Sequence, residues 1–220
     1  MHNPVESYKE IINAIELRLK GQNLNKIPKI IAVSKTFTLN KILPLIEFGH
    51  LDYGENKVQE AIEKWTNIKA QKQEINLHLI GKLQSNKAKF AVKIFDYIHS
   101  LDSKKLAKKI ADEEVKQNKQ TKLFIQVNIG NEDQKSGILI KELDDFYKFC
   151  KQLNLNIIGL MCIPPHEEDS RSYFKEMSEL KKKLNLNELS MGMSSDYIHA
   201  IEYSSTYLRI GSSIFGKRDY

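Results

Sequence analysis

The 220 residues include only two cysteines, Cys150 in a helical stretch and Cys162 in an apolar strand. Such a pair builds neither a disulfide framework nor a zinc site. No run approaches the roughly 20 apolar residues of a membrane span. The opening MHNPVESYKE lacks the basic-then-apolar order of a secretory leader. No stretch rich in Pro, Gly or Ser marks a linker, and no segment is of low complexity. These absences leave one domain over residues 1–220, in a cytoplasmic protein with no membrane association, as the expectation.

Hydrophobic residues make up 41% and charged residues 28%, a globular balance. The net charge of +6 favours anionic partners. The lysines are spread along helical segments, as at Lys104, Lys105, Lys108 and Lys109, which reads as a solvated face. No aromatic-interleaved basic motif or recognition-helix pattern is present, so nucleic acid is not an expected partner.

The order of elements carries the fold. Pro4 to Lys20 places Val5, Tyr8, Ile11, Ile12, Ile15 and Leu19 at helical spacing, and KGQN ends that segment. Strand-like runs then alternate with helical patterns: KIIAVS, HLDYG, NLHLIG, DYIHSL, KLFIQVNI, NIIGLMCI, ELSMGM and YLRIGSSI. The helices between them centre on 39–48, 55–70, 84–94, 102–118, 139–152, 168–185 and 194–201. Alternation of this kind requires a parallel sheet, because each crossover returns the chain to the same end. Eight units in a chain of this length favour a closed TIM-type (β/α)8 barrel with an extra N-terminal helix over an open doubly wound sheet.

Active sites of such barrels lie at the C-terminal ends of the strands. There the expected rim carries Ser34 and Lys35, then Gly54, Glu55 and Asn56, His78 and Gly81, Asn128 and Met161. Met191 to Ser194, Arg209, Gly211 and Ser212 complete it. Lys35 closes an apolar strand, where its amine either reaches solvent on its stem or sits in a pocket as a nucleophile. SSTYLRIGSS (204–213) puts small hydroxyl residues and Gly211 around the last strand, a composition suited to an oxyanion. A strand-end lysine opposite a phosphate site suits a sugar phosphate attacked by a Schiff-base lysine, or pyridoxal phosphate held on the lysine. Arg209 bears on the choice. A guanidinium only donates hydrogen bonds, so facing a pyridine nitrogen it keeps that nitrogen unprotonated and the ring a weak electron sink. A structural ion pair at the barrel end is the competing role for Arg209.

An ordered set of motifs spans nearly the whole chain: AVSKTF (32–37), YGENKVQEA (53–61), LHLIGKLQSNK (77–87), VNIGNEDQKSGI (127–138), GLMCIPP (159–165), LSMGMSSDYIHAI (189–201) and STYLRIGSSIFG (205–216). Together they resemble the pyridoxal-phosphate homeostasis proteins, relatives of the N-terminal barrel of alanine racemases. The resemblance implies pyridoxal 5'-phosphate as cofactor, held as an aldimine on Lys35, with Arg209 facing the pyridine nitrogen. It implies Ser205, Thr206, Gly211 and Ser212 as the phosphate cradle, and Asn56, Met193 and Ser194 as lining. His78 is expected to pack or hydrogen-bond. The chain departs from the family at Leu77-His78-Leu79, where Trp-His-Phe is frequent, and at Ser204-Ser205-Thr206, where Gly-Ser-Thr is frequent. The second departure is read as a glycine lost beside the phosphate.

Racemase relatives take a second base from a further domain of a partner subunit. This chain runs from the eighth strand to IFGKRDY, so that base is not expected, and two-face proton transfer fails without it. The resemblance thus implies a monomeric, non-catalytic protein of intracellular cofactor homeostasis, which buffers the cofactor or delivers it to pyridoxal-phosphate-dependent apoenzymes. The alternatives are a small cofactor-dependent racemase or decarboxylase, and a Schiff-base aldolase. Should Lys35 not be the attachment point, Lys82 is the next candidate.

Overall fold

Ile30 to Val33 are buried on both faces of their strand, and the side chains divide between two cores. Ile31 joins Tyr97, Phe124, Met161 and Tyr207 in an inner cluster, whereas Ile30 and Ala32 belong to the outer core beneath the helices. That two-sided burial is the mark of a parallel barrel strand. The computed structural model describes residues 2–21, 27–132, 134–166 and 168–217.

The elements run α1 (Pro4–Gly21), β1 (Lys29–Val33), α2 (Leu39–Glu47), β2 (Asp52–Glu55), α3 (Val58–Gln71), β3 (Asn76–Leu79), α4 (Ala88–Ile94), β4 (Tyr97–Leu101), α5 (Lys104–Gln117), β5 (Lys122–Val127), α6 (Leu143–Gln152), β6 (Ile157–Cys162), α7 (Ser170–Lys183), β7 (Glu188–Met193), α8 (Tyr197–Glu202), β8 (Tyr207–Ile210) and α9 (Ser212–Phe215). Each strand pairs in parallel with the next, and β8 pairs with β1 to close the barrel. The eight-stranded barrel expected from the sequence is therefore the observed fold. Within the KGQN stop of α1, Gln22 and Asn23 lie outside the described residues, as do Arg218 to Tyr220 of the terminal motif.

Of the boundaries that differ from expectation, two change the picture of the chain. The run from Tyr207 to Ile214 is not one strand: β8 ends at Ile210, and Ser212–Phe215 turns into α9. Apolar packing decides this, since the Phe215 ring meets that of Phe37 at a tilt (5.2 Å between centroids) and Ile214 is buried. β2 begins at Asp52 rather than His50, whose ring Nε2 donates to the Asp52 carbonyl (2.9 Å) from the preceding turn. Because α9 is so short, α1 fills the ring beside it. It packs on α2, α8 and α9 through Ile11, Ile15 and Leu19.

Asparagine does much of the work that glycine does elsewhere. After α5, α6 and α7 the chain turns through Asn118, Asn154 and Asn185 at φ 47°, 56° and 51°, the left-handed conformation that ends many helices. Gly159 is a different case. A Cβ there would stand 2.2 Å from the Glu188 carbonyl oxygen, so β6 and β7 approach as only glycine allows. Gly159→Ala is expected to lower the unfolding free energy by about 2 kcal/mol, read from the urea midpoint.

Candidate functional site

Lys35 follows β1 in a turn held from three sides. Ser34 N–H donates to the Gly54 carbonyl (3.0 Å), and Phe37 N–H to the Ser34 carbonyl (3.2 Å). Lys64 Nζ donates to the Ser34 carbonyl (2.9 Å), and Thr36 N–H donates to Glu60 Oε1 (2.6 Å). Thr36 sits at φ 67°. A β-branched residue there is strained by roughly 1–3 kcal/mol and persists only where its surroundings impose it. Here the imposing group is Glu60 of α3, one member of a charge cluster that joins α3 to β2.

The Glu55 and Lys64 side chains of that cluster are buried, and Glu60 is half-buried. Glu55 points out of the barrel, its Oε1 accepting from Ser34 Oγ (2.7 Å), Lys64 Nζ (2.9 Å) and Trp65 Nε1 (2.9 Å). Burial pushes the Glu55 carboxyl above its ordinary pKa, against the pull of Lys64 and the donors. Glu60 titrates below its ordinary value: burial works against ionisation, but the Thr36 N–H and Lys64 outweigh it. Glu60 and Lys64 also pair across one helical turn at 3.0 Å. Residues on both sides of Lys35 are thereby fixed to α3. Sequence reasoning found the lysine and missed this clamp, although Glu60 and Lys64 stand four apart on a helix that follows the second strand.

The β8–β1 seam brings the remaining candidates to the same mouth. Ile210 aligns with Ala32, and Arg209 aligns with Ile31 and Met193. A Cβ on Gly211 would stand 3.2 Å from the Val33 carbonyl oxygen, which sets that backbone two residues from Lys35. Met193 ends β7 and Ser194 follows it, and Asp196 Oδ1 accepts from the Met193 N–H (2.6 Å). Ser194 Oγ lies 3.5 Å from the Ser213 N–H, so the loops after β7 and β8 meet. Asn56 is pressed by Gly81, whose Cβ would come within 2.3 Å of the Asn56 carbonyl oxygen. Lys35, Asn56, Met193, Ser194, Gly211 and Ser212 thus share the C-terminal mouth. Arg209 points into the barrel beneath them, bonded to Ser190 Oγ and the Cys162 carbonyl at 2.8 Å each.

Ser205 and Thr206 do not join them. They precede β8, and Lys29 N–H donates to the Thr206 carbonyl (2.8 Å), which puts the pair at the N-terminal end of the barrel. Their hydroxyls are spent on β7. Ser205 Oγ donates to the Met191 carbonyl (2.7 Å) and Thr206 Oγ1 to the Leu189 carbonyl (3.1 Å). The phosphate role expected for them is therefore corrected to a structural one, pinning β8 to β7. The same applies to Ser204, which lies at that end at φ 62°. A glycine there serves the left-handed turn rather than an anion. His78 and Glu55 also leave the expected rim, the first for the barrel interior and the second for the helix layer.

Lys35, the Arg209 guanidinium, the Ser194 hydroxyl and the backbone around Gly211 form a set weighted toward donors and positive charge, which fits a phosphorylated aldehyde. Beside it, a hollow of about 320 Å³ is lined by the described residues Asn56, Lys82, Gln126, Asn128, Gln134 and Lys135 among others, and the Glu132 carboxylate pairs with Lys135. Burial pushes the thiols of Cys150 and Cys162 up to about 12, so neither is a thiolate nucleophile. Replacing either strained residue by glycine, Thr36→Gly or Ser204→Gly, is expected to raise the unfolding free energy by about 1 kcal/mol. Only Thr36→Gly is expected to change the rate at which an aldehyde and borohydride trap Lys35. Equal trapping rates in the two variants would show the strain to be unconnected with the lysine.

The sequence model of the family "Alanine racemase, N-terminal domain" matches residues 16–219. A pyridoxal phosphate homeostasis protein of Aquifex aeolicus is 37% identical over 220 residues, covering 96% of this chain and 94% of that one. The protein of the same name from Escherichia coli K12 is 36% identical over 87% of the chain. Among solved structures, PipY of Synechococcus elongatus PCC7942 with PLP bound is 34% identical with a TM-score of 0.78, covering 92% of this chain and all of that one. With its barrel, its strand-end lysine and its buried arginine in place, the chain belongs to the pyridoxal phosphate homeostasis proteins of the alanine racemase N-terminal family.

Proposed function

We propose that the protein binds pyridoxal 5'-phosphate at the C-terminal mouth of its barrel, attached through Lys35, and holds it for intracellular supply to apoenzymes rather than for turnover. The observation that carries this reading is the joint placement of Lys35 in a clamped turn and Arg209 in the interior beneath it. The cofactor supplies an aldehyde that condenses with a lysine amine, together with a phosphate. The chain's own residues do the rest. Gly211, Ser212 and Ser194 hold the phosphate through backbone N–H groups and a hydroxyl. Arg209, a pure donor, would face the pyridine nitrogen and would keep it unprotonated, which would disfavour carbanion chemistry. Asn56 and Met193 line the ring.

The lining of the adjacent hollow supports the non-catalytic half of the reading, since among the described residues no tyrosine or histidine stands there as a second base and the nearby Glu132 carboxylate is paired with Lys135. Tyr97 and Tyr207 do point inward, but Tyr97 meets Lys122 at the start of β5 (3.0 Å), at the opposite end of the barrel.

The test is the absorbance of the purified protein after loading with pyridoxal phosphate, before and after borohydride, with mapping of the modified lysine. A visible band that reduces onto Lys35 and disappears in Lys35→Ala is expected. A label on Lys82 would move the site, and no band at all would remove the cofactor reading. Loaded protein is also expected to leave the α-deuteron of a labelled amino acid in place; rapid loss would make it a racemase.

A further inference from the structure

Apolar side chains fill the interior of most barrels of this architecture, yet here an unbroken polar chain crosses it. Arg209 Nη1 donates to Ser190 Oγ at 2.8 Å, and the Ser190 hydroxyl meets His99 Nδ1 at 2.8 Å. His99 Nε2 meets His78 Nδ1 at 3.0 Å, and His78 Nε2 meets Asp52 Oδ1 at 3.0 Å. The links come from five strands: β8, β7, β4, β3 and β2. Asp52, the first residue of β2, reaches the N-terminal mouth, with 15% of its side chain exposed. The rings are held in plane by stacking, His78 on Tyr97 and His99 on Phe124, each at 4.2 Å between centroids.

The two ends determine every proton between them. Arg209 can only donate, so Ser190 Oγ accepts from it and turns its own proton to His99 Nδ1. His99 must then carry its proton on Nε2 and give it to His78 Nδ1. His78 in turn carries its proton on Nε2 and gives it to Asp52, whose carboxylate only accepts. Both rings must be neutral for this order, and burial keeps them so. His99 is driven well below the ordinary histidine range by burial, with His78 and Arg209 nearby adding to the effect. His78 is lowered by burial despite Asp52. Burial opposes ionisation of Asp52, but the His78 hydrogen bond and the Lys29 charge hold its carboxyl below the usual value.

We propose that Ser190, His99, His78 and Asp52 are positioning residues that act through Arg209, so that a carboxylate at the far mouth of the barrel helps to set the guanidinium facing the cofactor. This rests on the reading that Arg209 faces the pyridine nitrogen. Side-chain nitrogen-15 spectra of the full chain without cofactor, near pH 7, are expected to show both rings neutral and protonated on Nε2. A proton on Nδ1 of either ring, or a charged ring, overturns the relay whether or not the protein binds pyridoxal phosphate.

In the loaded protein, Ser190→Ala is expected to weaken pyridoxal phosphate binding about tenfold, the scale of one charge-assisted hydrogen bond, and to shift the visible band. The near-isosteric Asp52→Asn is expected to move the His99 nitrogen resonances without cofactor, and the visible band with it. A visible band unmoved in both variants overturns the positioning role even if the tautomers are as expected. Should the wild type take up no cofactor, the reading of the site fails separately. The His99 resonances in Asp52→Asn then decide the relay: moved, it transmits; unmoved, it does not.

Discussion

The parallel pairing of β8 with β1 is the contact on which the rest of this molecule depends. It closes the barrel, and its register places Arg209 beside Ile31 and Gly211 against Val33. Lys35 lies two residues beyond that contact. A slip of one residue along the seam would reverse which side chains face inward, sending Arg209 into the helix layer and Leu208 into the barrel. The hydroxyls of Ser205 and Thr206 guard against such a slip from the N-terminal end by binding β7.

Holding a guanidinium inside a barrel is costly unless its donors are met. The interior is organised around that requirement. Ser190 and the Cys162 carbonyl meet two of the donors, and the polar chain behind Ser190 ends on a carboxylate of opposite charge. Aromatic rings stacked on the two histidines keep water and alternative rotamers out. The result is a fixed positive charge beneath the site, suited to binding an anionic ring compound and poorly suited to drawing electrons through it.

Strain is distributed with similar economy. Thr36 is forced into a left-handed conformation by the Glu60 contact, next to the lysine, while Ser204 adopts one in an ordinary turn far away. The same backbone outlier therefore means different things at the two positions. What separates them is the charge cluster of Glu55, Glu60 and Lys64, present at one and absent from the other.

Much of the fold was legible because helix and strand periodicities are local properties, and the first strand run was apolar enough to demand burial on both faces. The strand-end lysine and the glycine after β8 were legible for the same reason: position along a strand tells which mouth a residue reaches. Failures came where one motif straddles a strand. STYLRIGSS carries hydroxyls on both sides of β8, and only the direction of the strand tells that Ser205 and Thr206 lie at one mouth and Ser212 at the other. The alternation of strand and helix runs by itself determined a parallel sheet with Lys35 at the end of its first strand, and favoured the barrel that the β8–β1 pairing then closes. Which charges clamp the turn of that lysine, and which histidines stand behind Arg209, only the tertiary structure decided, because the contacts of Glu60 with Thr36, Lys64 with Ser34, His78 with His99 and His99 with Ser190 join residues from 21 to 91 positions apart.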